Sequence, residues 1–150
     1  MSRLSAGARP AGDRGSVLPL VIGVVVIVLS TLAVVTDASV LWLQRRTLQS
    51  VVDGAALAGA QGFDTDRIYA EGVPDELPLS PRAARAAVRS WVRAAPAARE
   101  LTRFRVVRTT VTASEVTVRA RSIVTPPFTT WLTGRGVTVV AEATATPRGR

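Results

Sequence analysis

The chain has 150 residues and a formal net charge of +8, and it contains neither cysteine nor histidine. The absence of cysteine excludes disulfides and thiolate chemistry, and the absence of histidine removes the commonest general base and metal ligand. All 19 basic residues are arginine, which indicates a compositional bias as much as a binding role. We therefore expect a protein that is not an enzyme and holds no cofactor or metal.

An uncharged apolar stretch dominates the N-terminal part of the chain. Residues 16–36 carry no charge in 21 positions and lie between Arg14 and Asp37. As a helix this stretch is about 31 Å long, which matches the hydrocarbon layer of a membrane. Its many valines would favour a strand in water, but in lipid only a helix pairs all of its own backbone groups. The sequence predicts a single transmembrane helix over 16–36.

The flanking charges predict the orientation of this helix. Three arginines precede it and two follow closely: Arg3, Arg9 and Arg14, then Arg45 and Arg46. The excess on the N-terminal side favours a cytoplasmic N-terminus, with a disordered tail over 1–15 and an extracytoplasmic C-terminal domain. An alternative is a secretory signal cleaved near Thr36, although the apolar stretch is longer than the usual signal core.

Apolar residues continue at helical spacing after the stretch, which predicts an amphipathic helical extension over 37–62. Near its start, Asp37, Trp42, Arg45 and Arg46 are typical of a membrane edge, where an indole and guanidinium groups sit among lipid headgroups. Gly62 is expected to end the helix.

Small residues recur in the last turns of this extension. Gly54, Ala55, Ala58 and Gly59 form a candidate helix-association stripe, because small side chains let another backbone approach closely. Two interpretations remain open. The stripe packs against the protein's own domain, or it packs against a helix of another subunit in a homo-oligomer or a larger assembly.

Residues 63–80 are rich in acidic residues and proline and predict an irregular connection. The acids do not follow the interleaved spacing of a calcium loop, so a solvated loop is favoured over a metal site.

A second helix of about 14 residues is predicted from Ser80 and Pro81 to the residues before Pro96, because serine caps helices and proline suits their first position. One face is apolar and includes Trp91, and the opposite face carries a row of arginines: Arg82, Arg85, Arg89 and Arg93. Trp91 is the one aromatic residue of this helix and falls on its apolar face, so a solvated arginine face is favoured over nucleic-acid binding.

The apolar period then changes from 3.6 to 2, which predicts strands at 103–112, 115–124 and 136–147. In the middle strand Val116, Val118, Ala120, Ser122 and Val124 share one face. Prolines and glycines interrupt the ladder before the third strand. The expected fold is α+β: one long N-terminal helix, then a small domain over 63–150 with one helix on a three-stranded antiparallel sheet.

The stretch from Arg14 to Gln61 resembles the N-terminal segment of TadE/TadG-like proteins of bacterial Tad (Flp) pilus assembly systems. That family shows the following features in order, which appear here as Arg14-Gly15, the apolar span, Asp37, Trp42, Arg45-Arg46, Leu48-Gln49, Asp53 and the alanine-rich run 54–60. The resemblance implies a pilus-associated subunit of the cell membrane that contacts other pilus-assembly subunits.

Two features of that family bear on this chain. Prepilin-like members are processed after a glycine, so Gly15 and Ser16 are candidate processing residues, but the glutamate usual five positions later is replaced by Leu20. Long members carry a large domain with a metal-dependent site, which 150 residues do not accommodate, so no metal role is carried over. The resemblance implies a non-catalytic minor-pilin-like or scaffold subunit. The alternative is a membrane-tethered module that binds an anionic envelope ligand through Arg119, Arg121 and the helix arginines.

Overall fold

The computed structural model describes residues 17–62 and 79–147. The predicted tail at 1–15, the candidate processing residues Gly15 and Ser16, and residues 63–78 of the predicted acidic connection lie outside these ranges. The described residues divide into two compact units, one ending at Val35 and the other beginning at Thr36.

Helix α1 runs from Val17 to Ala60, a length of 44 residues. Within the part of the chain that the structure describes, it is the one helix long and apolar enough to cross a membrane. Side chains of its apolar part are exposed, for example Ile27 at 66% and Leu29 at 61%. The valine-rich stretch is helical, as predicted. The helix ends at Ala60, two residues before the predicted boundary at Gly62.

Helix α2 spans Pro81–Ala94, which confirms the predicted length and caps. The Ala83 backbone N–H donates to the Ser80 hydroxyl over 3.4 Å, and proline occupies the first turn. A short helix, α3, follows at Pro96–Glu100 and was not predicted. Pro96 accounts for both the end of α2 and the start of α3. Proline cannot continue a helix, but it suits the first turn of a new one.

The three strands are β1 (Arg105–Val111), β2 (Val116–Val124) and β3 (Val137–Ala145). They form an antiparallel sheet in the order β1-β2-β3, as predicted. The five residues predicted to share one face of β2 are all buried. The connection from β2 to β3 contains a helix, α4 (Pro127–Thr133), where the sequence suggested only an interruption. It ends at Gly134, whose φ of 66° suits glycine.

The core lies between the sheet and two helices. Leu48, Val51 and Val52 of α1 are almost fully buried together with Val88 of α2 and Val118 of β2. The α+β class is confirmed, and the structure adds that the second half of α1 covers the sheet beside α2. The helical extension is thus part of the folded domain and buries its apolar stripe there.

Candidate functional site

Asp37 joins α1 to α4 across 91 positions of sequence. Its carboxylate accepts hydrogen bonds from the Phe128 N–H at 3.0 Å, the Thr129 N–H at 2.5 Å and the Thr129 hydroxyl at 2.6 Å. The residue is only 7% exposed. Backbone N–H groups in the first turn of a helix lack partners within the helix, so this carboxylate caps α4 from a distant part of the chain.

The environment of Asp37 favours its charged form. Burial raises the pKa of the carboxyl, but the hydrogen bonds from Thr129 and Phe128 outweigh that effect and hold the pKa below its ordinary value. The sequence prediction placed Asp37 at the outer edge of the apolar stretch. The structure adds that its carboxylate is buried against α4 and performs a structural role there.

The other predicted membrane-edge residues lie on exposed parts of α1. Trp42 is 61% exposed, and the guanidinium carbon of Arg46 lies 5.5 Å from the centre of its ring. Arg45 is also exposed. A stacked arginine and indole present a positive charge and an amphipathic ring on the same surface. Their role at a membrane edge stays a prediction.

Gln49 connects α1 to the sheet. Its side-chain amide donates to the Asp53 carboxylate at 2.8 Å and to the Glu142 carbonyl of β3 at 3.2 Å. Leu48, next to it, is fully buried. Several residues that carry the family resemblance therefore hold the helix against the domain.

The predicted small-residue stripe faces the protein's own core. A Cβ at Gly54 would lie 2.2 Å from the Trp91 ring, and a Cβ at Gly59 would lie 2.8 Å from side-chain carbons of Val88 and Val116. Ala55 is buried and Ala58 is half-buried. These contacts correspond to the intramolecular interpretation. Association of another subunit through the same residues stays a prediction, and it would compete with this packing.

The structure separates the arginines of the proposed anionic-ligand site into two groups. Arg85, Arg89 and Arg93 of α2 line an open groove of about 610 Å³ beside β1. Arg121 lines a different hollow of about 390 Å³ with Arg103 and Arg105. The remaining two arginines are not part of either group: Arg82 is exposed, and Arg119 lies 3.8 Å from Glu142.

Sequence reasoning missed α4 and its contact with Asp37. The prolines at 126 and 127 and the glycine at 134 predicted an interruption of the sheet, but proline at the start and glycine at the end are also typical of a short helix. Nothing local in the sequence indicated that the capping carboxylate would come from Asp37. Among the described residues, no group of acidic side chains is arranged to hold a metal ion.

The second half of α1 is part of the core of a small α+β domain, and the first half is apolar and exposed. Residues 15–62 match the family model described as "Putative Flp pilus-assembly TadE/G-like", which confirms the resemblance over that stretch. The matched stretch covers about a third of the chain and ends just after α1. Comparison with curated proteins and with solved structures gives no significant match.

Proposed function

We propose that this chain is a non-catalytic, membrane-anchored subunit of a Tad/Flp-type pilus assembly system. The match of residues 15–62 to the pilus-assembly family is the observation that carries the proposal. The apolar part of α1 anchors the chain in the cell membrane in a single pass. The N-terminal tail is cytoplasmic, and the α+β domain lies outside the cytoplasm, where it contacts other pilus-assembly subunits.

The continuity of α1 supports this proposal. The helix that contains the apolar stretch also provides Leu48, Val51 and Val52 to the domain core. An anchor on the same helix tethers the domain to the membrane, as a subunit of a membrane-bound assembly system requires.

We expect the protein to remain in the membrane pellet of native cells after alkaline carbonate extraction. The double variant Val25→Asp and Leu29→Asp should be released, since each central charge opposes insertion by about 2.5–3.5 kcal/mol. Release of the unaltered protein would contradict the anchor. Protease added outside spheroplasts should digest the domain, and protection of the domain would contradict the proposed orientation.

The intact mass of the extracted protein separates the two versions of the proposal. Loss of residues 1–15 would show cleavage between Gly15 and Ser16 and would favour a minor-pilin-like subunit that can enter a filament. A full-length mass near 15.8 kDa would favour a permanent scaffold.

A second candidate function is the binding of an anionic envelope polymer, favoured by the arginine-lined groove between α2 and β1. We expect full-length protein in nanodiscs to bind polyphosphate, used as a model polyanion, with an affinity that falls as salt is raised. Arg89→Glu with Arg93→Glu should weaken binding through the groove, and Arg105→Glu with Arg121→Glu should weaken binding through the other hollow. Binding unaffected by both pairs would exclude this function.

A further inference from the structure

Helix α4 exposes an unusual amount of apolar surface for its size. Phe128, Trp131 and Leu132 are 49%, 85% and 79% exposed, and none of the seven residues of the helix is charged. An exposed indole beside two other large apolar side chains marks an interaction surface more often than a solvated one. We call these three residues the α4 apolar patch.

The position of the patch is set by Asp37. This residue directly follows Thr36, the last residue of the uncharged stretch. The carboxylate of Asp37 accepts hydrogen bonds from the backbone of Phe128 and Thr129, so the first turn of α4 is fixed to the point where the apolar stretch ends. The whole of α4 is only about 10 Å long, so no part of it lies far from that point.

We propose that the α4 apolar patch inserts into the headgroup region of the membrane that the apolar part of α1 enters. This inference rests on the proposed membrane anchor. Tryptophan favours the boundary between headgroups and acyl chains, where its apolar ring and its polar N–H are both accommodated. The exposed side chains of Phe128, Trp131 and Leu132 would add binding strength in proportion to the apolar area that they bury in that boundary.

The surroundings of the patch agree with a lipid surface as its occupant. Arg135 follows the helix and is exposed, so its guanidinium can reach lipid phosphates. On α1, the exposed pair of Trp42 and Arg46 has the same combination of indole and guanidinium. A protein partner would also cover the patch, and the experiment below distinguishes that outcome.

The chain has no cysteine, so single cysteines can carry a nitroxide label without other changes. We would label Leu132→Cys in the α4 apolar patch, Leu29→Cys in the apolar stretch and Ser114→Cys in the β1–β2 turn, all in full-length protein. Ser114 is exposed and precedes β2, whereas α4 follows β2, so it reports the opposite end of that strand. Collisions with oxygen and with a nickel chelate would be measured in bilayers of zwitterionic and anionic phospholipids.

At Leu132 the ratio of oxygen to nickel accessibility should be at least several-fold higher than at Ser114 and lower than at Leu29. Equal ratios at Leu132 and Ser114, with Leu29 in lipid, would overturn the inference and leave the anchor intact. Low accessibility of Leu132 to both reagents would overturn it in favour of a protein contact. An aqueous environment at Leu29 would instead overturn the proposed anchor.

Discussion

Replacement of Gly62 with alanine is expected to lower the free energy of unfolding of the domain by about 3 kcal/mol, at the upper end of the usual cost of overpacking. An added Cβ would lie 2.6 Å from the backbone N and Cα of Ala84, in the first turns of α2. A backbone atom cannot rotate aside as a side chain can, so α2 would have to shift away from the end of α1.

Urea denaturation of the full-length protein in detergent, followed by tryptophan fluorescence, would measure this loss. Gly23→Ala is the matched control, because a Cβ there meets nothing within 4 Å. The control should leave unfolding of the domain unchanged. An unchanged midpoint for Gly62→Ala as well would mean that α2 does not pack on Gly62 as described.

Replacement of Asp37 with alanine should also destabilise the domain. It leaves the N–H groups of Phe128 and Thr129 without their carboxylate acceptor at the start of α4. Asp37→Asn should have a smaller effect, because an amide oxygen can still accept one of these bonds. The same denaturation experiment would measure both variants.

The matched control for Asp37 is Asp53→Ala. The Asp53 carboxylate accepts a bond from Gln49 one turn away on an exposed helix surface, and such pairs contribute about 0.2–0.5 kcal/mol. The loss for Asp37→Ala should be several times larger. Similar losses for the two variants would contradict a buried capping role for Asp37.

Acidification provides an independent check on Asp37. The pKa of Asp37 in the folded state lies below its ordinary value of 3.8. The contribution of its charge to the free energy of unfolding is therefore complete above that value. This contribution is lost as the pH falls through the folded-state pKa. The stability difference between the unaltered protein and Asp37→Asn should therefore shrink on acidification below about pH 4. A difference that stays constant down to pH 2 would mean that the charge of Asp37 does not stabilise the fold.

These two residues connect stability to the proposed function. Gly62 permits α2 to approach the end of α1, and Asp37 fixes α4 beside the end of the apolar stretch. If the chain is anchored as proposed, damage at either position should destabilise the domain and leave the anchor in the membrane. In cells, we expect such a variant to stay in the membrane fraction but no longer to co-purify with partner subunits.

Elements with strong local signals were predictable from the sequence alone. The uncharged stretch, the Ser80-Pro81 start and the alternation in β2 predicted a long helix, a capped helix and a half-buried strand, and the structure has each of them. These signals are local, because periodicity and capping depend on residues within one or two turns.

Which surfaces meet depends on residues that lie far apart in the sequence. Whether the small residues of α1 face the protein's own domain depends on the placement of Trp91, Val88 and Val116, which lie far away in sequence. The capping of α4 by Asp37 depends on a contact across 91 positions. Periodicity shows which side of a helix is apolar but not what covers it, because the covering residues are selected by the packing of the whole domain.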